Sequence, residues 1–255
     1  MPFVREMGAR RELFKSLVVR NLKIRYKGSA LGFLWSLMDP ILMVAVYFLF
    51  AKLTRFQVDL PYLLSGVLTW QFLSLCIGDS FHAVSGNPSL VKKVYFPRLI
   101  LPLTMSVANL INFLLTLVVL FGFLLLSGID FQFTRWIYLP LVILMEFVIG
   151  TGLALFVSSV MVYFRDTQHL VGIGMMAWFF LSPVIYPLHL VPEKYLGIYL
   201  LNPMCTVLMG FRACLLGQPF LWGPATAGAL LIALGLLIFG FWIFIKLEPC
   251  FSDEL

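Results

Sequence analysis

Charge is what this sequence has least of. Only 12% of its 255 residues are Asp, Glu, Lys or Arg, about half of the roughly 25% that a soluble globular domain carries. With 61% hydrophobic residues and a mean hydropathy of +0.99, an ordinary soluble domain is excluded. Catalytic signatures are lacking too. No GxxxxGK[ST] loop is present to cradle the phosphates of ATP, and neither HExxH nor GxSxG occurs. The three histidines, His82, His169 and His189, are scattered. The four cysteines, Cys76, Cys205, Cys214 and Cys250, form no CxxC and no pairing with histidine at ligand spacing. In apolar surroundings they read as packing residues rather than disulfides or metal ligands. Neither catalysis nor a resident metal or cofactor is expected of this chain.

What the sequence has instead is length of apolar run. Six stretches are long enough to cross a hydrocarbon core of roughly 30 Å: Leu31–Phe50, Tyr62–Phe81, Leu99–Ser127, Trp136–Phe164, Leu170–Tyr186 and Gly223–Lys246. Such runs are too long for outer-membrane β-strands, so the expected class is an all-α polytopic membrane protein. Short loops join the runs, and neither a repeat nor a low-complexity linker divides the chain, so 1–255 reads as a single membrane domain.

Eight cations precede the first run (Arg5, Arg10, Arg11, Lys15, Arg20, Lys23, Arg25 and Lys27) against Glu6 and Glu12. At helical spacing Leu13, Phe14, Leu17, Val18, Leu22 and Ile24 share one half of the wheel, with the lysines and Arg20 on the other. An amphipathic helix over 1–30, flat on the membrane with its lysines among anionic headgroups, is therefore predicted. The same residues also serve as a simple topogenic signal. A cleaved signal peptide is not expected, because the apolar stretch is too long and no small-x-small site follows it. Starting inside, alternate loops place thirteen cations on the inner side and five (Lys52, Arg55, Arg135, Lys194 and Arg212) on the outer. That bias predicts six spans with both termini cytoplasmic. The net charge of +6 is thus read as topology and lipid contact, not nucleic-acid binding.

Leu188–Trp222 departs from the pattern. Asn202-Pro203 interrupts its apolar residues and Arg212 lies in its second half. A broken apolar segment suits a re-entrant hairpin, whose freed backbone groups must be buried in protein or line a wet cavity. It precedes a sixth span over 223–246 and a tail over 247–255. In the inner loop 85–98, Asn87 can cap a short helix that starts at Pro88 and must end before Pro97. Leu90 and Val94, with Val91 or Tyr95, would form an apolar side too short to bury itself, while Lys92 and Lys93 stay wet. Such a helix suits docking into a groove on a soluble partner, and equally a solvated turn that orients two spans. In the other inner loop Arg165 can pair with a partner carboxylate or lipid phosphate, and Asp166 can cap the next helix.

Small or mildly polar residues form stripes on the second span (Ser65, Thr69, Phe72, Cys76, Ser80, Ala83), the third (Ser106, Asn109, Thr116) and the fourth (Gly150, Ala154, Ser158). Close helix packing is the main reading and a conduit wall the other. Asp39, Asp79 and Glu146 lie in or near spans, where an unpaired carboxylate is costly. Asp39-Pro40 reads as a kink. Trp178-Phe179-Phe180 and Tyr186 fit an interfacial belt, or a wall on which sugar rings slide.

In order and spacing, several motifs together resemble the permease subunit of ABC-2-type ATP-binding-cassette exporters, close to the polysaccharide export branch. They are Arg25-Tyr26-Lys27-Gly28-Ser29-Ala30-Leu31-Gly32 with Trp35 and Pro40, Tyr95-Phe96-Pro97-Arg98, Arg165-Asp166, Ser182-Pro183-Val184-Ile185-Tyr186-Pro187, and Asn202-Pro203-Met204 with Phe211-Arg212. The resemblance implies export of a lipid-linked glycan of O-antigen, capsule or teichoic acid type across the cytoplasmic membrane. It implies two copies of this chain and two separate ATPase subunits that bind Mg-ATP. It further implies an N-terminal interface helix (Arg20, Lys23, Arg25, Tyr26, Lys27) and an ATPase-coupling set (Asn87, Leu90, Lys92, Lys93, Val94, Tyr95, Phe96, Arg98, with Arg165 and Asp166). Outer gate helices would fall in Leu188–Trp222, and the channel and gate candidates are Trp35, Tyr47, Trp178, Phe179, Phe180, Tyr186, Asn202, Pro203 and Arg212. The family often carries an acid just before Gly-Phe-Arg, whereas Met209 stands here, which removes that partner for Arg212. Other readings are an ABC-2 exporter of a small hydrophobic compound and a carrier or scaffold that works without an ATPase.

Overall fold

The computed structural model describes residues 11–28, 31–32, 34–53, 59–93, 96–126, 133–220 and 223–254. Val94 and Tyr95 of the inner loop, Ser29 and Ala30 of the first motif, and Arg55 lie outside the described residues. Among the described residues every regular element is helical. In chain order they are α1 (Arg11–Tyr26), α2 (Leu34–Leu53), α3 (Leu60–Ser80), α4 (Pro88–Lys93), α5 (Ile100–Leu126), a 3-10 turn (Phe133–Tyr138), α6 (Leu139–Tyr163), α7 (Thr167–Phe180), α8 (Glu193–Tyr199), α9 (Pro203–Leu216), α10 (Pro224–Leu247) and α11 (Phe251–Glu254).

Part of the expected six-span layout is found. Four stretches among the described residues are long and apolar enough to cross a membrane: Leu60–Ser80, Ile100–Leu126, Arg135–Tyr163 and Pro224–Cys250. The pair α8 and α9, bent by 98° at its break, makes a fifth if it is one span. The helix expected over Leu170–Tyr186 ends at Phe180 after 14 residues, roughly 21 Å of rise, because Pro183 disfavours helical geometry just before it. Through Asp39-Pro40 α2 continues as one helix.

Helices α3, α5, α6, α9 and α10 make the body. The stripes lie inside it: Ser65, Thr69, Phe72, Cys76, Ser80 and Ala83 on α3 and its end, Ser106, Asn109 and Thr116 on α5, and Ala154 and Ser158 on α6 are all buried. Their small size lets backbones approach. A Cβ on Gly150 would sit 3.2 Å from that of Cys76, and one on Gly240 of α10 would lie 2.0 Å from the Gly152 carbonyl oxygen of α6. Accordingly α6 and α10 form the most extensive helix pair. Within a single chain the stripes are packing surfaces. Apolar side chains stay open on α2 (Leu34, Val46, Leu49) and α7 (Leu170, Ile173, Met176), and also on α5 (Val118, Leu125) and α10 (Leu231, Ile238, Trp242).

Two apolar clusters mark the two ends. The larger fills the body and the end beneath α8 and α9. The smaller joins Leu17 of α1, Val91 of α4, Phe96, Leu99, Phe244 of α10 and Phe251 of α11 at the opposite end. On α1 the protein-facing residues are Leu13, Phe14, Leu17 and Val18, whereas Ile24, placed on the same apolar half by the wheel, is 60% exposed. The inward side of α1 is thus covered by α5.

Candidate functional site

At the α1 end, polar side chains tie separate elements together. Arg25 donates through Nη2 to Asp79 of α3 and to Asn109 of α5, and Asn109 Nδ2 donates to the same carboxylate at 3.0 Å. Asp79 therefore has its partner on the N-terminal helix. Asn21 Nδ2 donates to Thr104 at 3.3 Å. Arg20 Nη2 donates to Asn87 Oδ1 at 3.0 Å, so the Asn87 side chain is engaged with α1, and Pro88 opens α4 as expected. Lys23 and Lys27 are exposed, while Tyr26 ends α1.

In the inner loop, the docking face expected from Leu90 and Val94 changes. Leu90 is half-buried and Lys92 exposed, but Val91 and Phe96 are buried in this chain's own cluster. Phe96 is therefore unavailable as an open contact, and Lys93 closes the helix. Arg98 faces inward: its backbone N–H donates to Glu248 Oε1 at 2.9 Å and its Nη1 to the Glu248 carbonyl at 2.6 Å. Arg165 and Asp166 are both exposed. Asp166 stands at the N-cap of α7, but its side chain makes no capping bond there, contrary to expectation; its carbonyl accepts from His169 and Leu170 instead.

The opposite end is built around Arg212. This side chain on α9 is 2% exposed. It donates through Nη1 to the Pro183 carbonyl at 2.6 Å and through Nη2 to the Val184 carbonyl at 2.7 Å. Its guanidinium lies 3.5 Å from the centroid of the Tyr62 ring, a cation–π contact strengthened by desolvation. Among the described residues no carboxylate pairs with it, in keeping with Met209 in the place of the family acid. The carbonyls it takes belong to the turn that follows α7. Gly66 makes the approach possible: a Cβ there would fall 2.2 Å from the Val184 oxygen and 2.6 Å from Arg212 Nη2.

Asn202 is the second hub. Its Oδ1 caps α9 by accepting from Met204 N–H at 3.0 Å and also accepts from Trp178 Nε1 at 2.9 Å. Its Nδ2 donates to Ser182 Oγ at 2.8 Å. Pro203, at N1, is buried. Tyr62 donates to the Tyr186 carbonyl at 2.9 Å, and Tyr186 donates to the Phe180 carbonyl at 2.7 Å and meets the Tyr199 hydroxyl. From the 3-10 turn Arg135 reaches the carbonyls of Gly217 and Gln218 at 2.6 and 2.7 Å, where Gly217 closes α9 with φ +68°. Beside this frame opens a cavity of about 740 Å³, lined by Tyr62, Arg212, Asp59, His189, Glu193 and Gln218 among others.

The aromatic gate candidates separate. Phe179 is buried, with Tyr47 stacked 5.9 Å and Trp70 edge-on 5.5 Å away. Trp178 meets Trp70 at 5.8 Å. Phe180 is exposed, and Trp35 sits exposed at the start of α2, away from the hairpin. Tyr62, Gly66, Trp70 and Arg135 were missed. Gly66 lies four residues after Tyr62, one helical turn along the same face, a signal that could have been read.

The ABC-2 type transporter family matches residues 12–216. The chain belongs to that family. A relative named "O-antigen export system permease protein RfbA" from Klebsiella pneumoniae is 29% identical over 255 residues, covering 95% of this chain and 96% of that one. One of the same name from Myxococcus xanthus is 36% identical over 219 residues, covering 82% of each chain. A "Polysialic acid transport protein KpsM" from Escherichia coli is 24% identical over 202 residues, with 76% and 77% covered.

Proposed function

We propose that this chain is the membrane-spanning permease of an ATP-driven exporter that moves a lipid-linked polysaccharide of O-antigen, capsule or teichoic acid type across the cytoplasmic membrane. The observation that carries this reading is similarity along 95% of the chain to a protein named as an O-antigen export permease. The lack of any phosphate-binding loop fits a division of labour in which Mg-ATP is bound and hydrolysed by a separate ATP-binding-cassette partner.

The α1 end faces the cytoplasm in this reading, supported by thirteen inner cations against five outer ones. Both termini are then cytoplasmic, and α2 with α7 and its continuation through Tyr186 supply two further crossings, giving six. The exposed face of α4, with Leu90 and Lys92, docks into the ATPase, and Arg165 and Asp166 reach the same partner. At the other end α8 and α9 enter the outer leaflet and return, held by Arg212 and Asn202 against the end of α7. Two copies enclose the conduit between them. This reading rests on one chain having too few helices to surround a sugar. Tyr47, Phe180 and Tyr186 offer rings on which a glycan exchanges one weak contact for the next.

The test is reconstitution of this chain with its ATPase in lipid vesicles carrying a lipid-linked glycan. ATP-dependent appearance of glycan on the far side, from a complex weighing as two permeases and two ATPases, is expected. Export of a hydrophobic dye without any glycan, or transport by the chain alone, would overturn the reading.

A further inference from the structure

The C-terminal tail makes contacts that a mere end of a span has no need for. After α10 the chain turns back, and Arg98 grips it three times: backbone N–H to Glu248 Oε1 at 2.9 Å, Nη1 to the Glu248 carbonyl at 2.6 Å, and Nη2 to Ser252 Oγ. Tyr163, closing α6, donates to the Leu247 carbonyl at 3.0 Å. Phe251 is fully buried, with its ring edge-on to Phe244 at 5.4 Å and 6.2 Å from Tyr163. It shares one cluster with Val91 of α4 and with Phe96, and α11 touches α4 directly.

The tail thus joins α4 to α10. That helix is 24 residues long, roughly 36 Å of rise, and reaches the opposite end at Pro224, just after the hairpin. It is locked along α6 by the Gly152–Gly240 approach, and α9 packs on both α6 and α10. A closely packed helix pair transmits displacement instead of absorbing it. We propose that residues 248–254 act as a coupling strut: Phe251 and the Arg98–Glu248–Ser252 grip make the last span move with α4, carrying the ATPase stroke to the hairpin. Phe251, Glu248 and Ser252 are positioning residues in this scheme. The proposal rests on the reading of α4 as the ATPase-docking helix.

The test uses the full complex in vesicles, comparing Phe251→Ala, Phe251→Leu, Glu248→Ala, and the docking variants Leu90→Asp and Lys92→Glu. Capture of the ATPase, ATP hydrolysis and glycan export are measured on samples matched for folded, monodisperse complex. Phe251→Ala and Glu248→Ala should retain capture and hydrolysis while export per ATP falls about tenfold, within the usual range of a coupling free energy. Phe251→Leu, which refills the apolar site, should recover most of it. Normal export per ATP in both alanine variants overturns the strut. Loss of capture in step with export also overturns it, because the tail then only shapes the docking surface. Normal capture by Leu90→Asp and Lys92→Glu overturns the docking reading itself, and the strut with it.

Discussion

The two ends of the molecule hold arginines in opposite ways. At the α1 end Arg25 meets Asp79, with side chains 24% and 33% exposed, and Arg98 grips a tail containing Glu248. At the hairpin end Arg212 is buried without an acid and is held by two backbone carbonyls and a tyrosine ring. A half-wet ion pair can break and re-form at modest cost, since water replaces the lost partner. A buried guanidinium cannot leave its carbonyls without stranding them. The α1 end is therefore the more adjustable of the two. The α9 end is pinned to the turn that follows α7.

Breaking the pin should have the largest effect. Arg212→Leu strands the carbonyls of Pro183 and Val184, at about 1–3 kcal/mol each, and should lower the melting temperature in detergent while opening the buried Cys205 of α9 to rapid thiol labelling in a background lacking the other three cysteines. A variant as stable as the parent would show that the hairpin is held elsewhere. Gly66→Ala attacks the same pin from α3, where the new Cβ intrudes on the Val184 oxygen and Arg212 Nη2. Overpacking of this kind costs about 1–3 kcal/mol. Combined with Arg212→Leu, the loss should be smaller than the sum, because both act on one contact. Strict additivity would separate the two residues.

At the other end Arg25→Ala should cost less, about 1–2 kcal/mol, as a charge-assisted hydrogen bond partly open to water. Raising salt from about 0.1 to 1 M should loosen α1, followed by protease cleavage within it, and leave Cys205 labelling unchanged. Equal salt sensitivity at both ends would erase the contrast drawn above. The smallest effect belongs to Lys15→Ala. Its pair with Glu12 has side chains 53% and 87% exposed, so stability should shift by no more than about 0.5 kcal/mol.

Much of the helical layout was legible before any coordinates. Pro88, Pro203 and Pro224 each open a helix, and the break at Asn202-Pro203 appears as a 98° bend. Fixed φ and the missing N–H act locally, so these signals survive whatever the rest of the chain does. Phe96 and Phe179 were different. A phenylalanine beside a loop or an interface reads as open, yet Phe96 is buried by Phe251 and its neighbours and Phe179 by Tyr47 and Trp70. Ile24, on the apolar half of α1, is left open by the protein.

By itself the sequence determined that this chain is helical, membrane-bound in class, without a nucleotide loop of its own, and broken at Asn202-Pro203. Composition and periodicity act through the solvent and the backbone, and each needs only neighbours along the chain. Only the tertiary structure decided that Asp79 answers Arg25, that Arg212 seals the end of α7, and that Phe251 locks the tail beneath α4. The residues in these contacts lie 54, 28 or 29, and about 160 positions apart. No local rule specifies such partners, because a buried charge or ring is satisfied by whatever the packing of several helices brings to it.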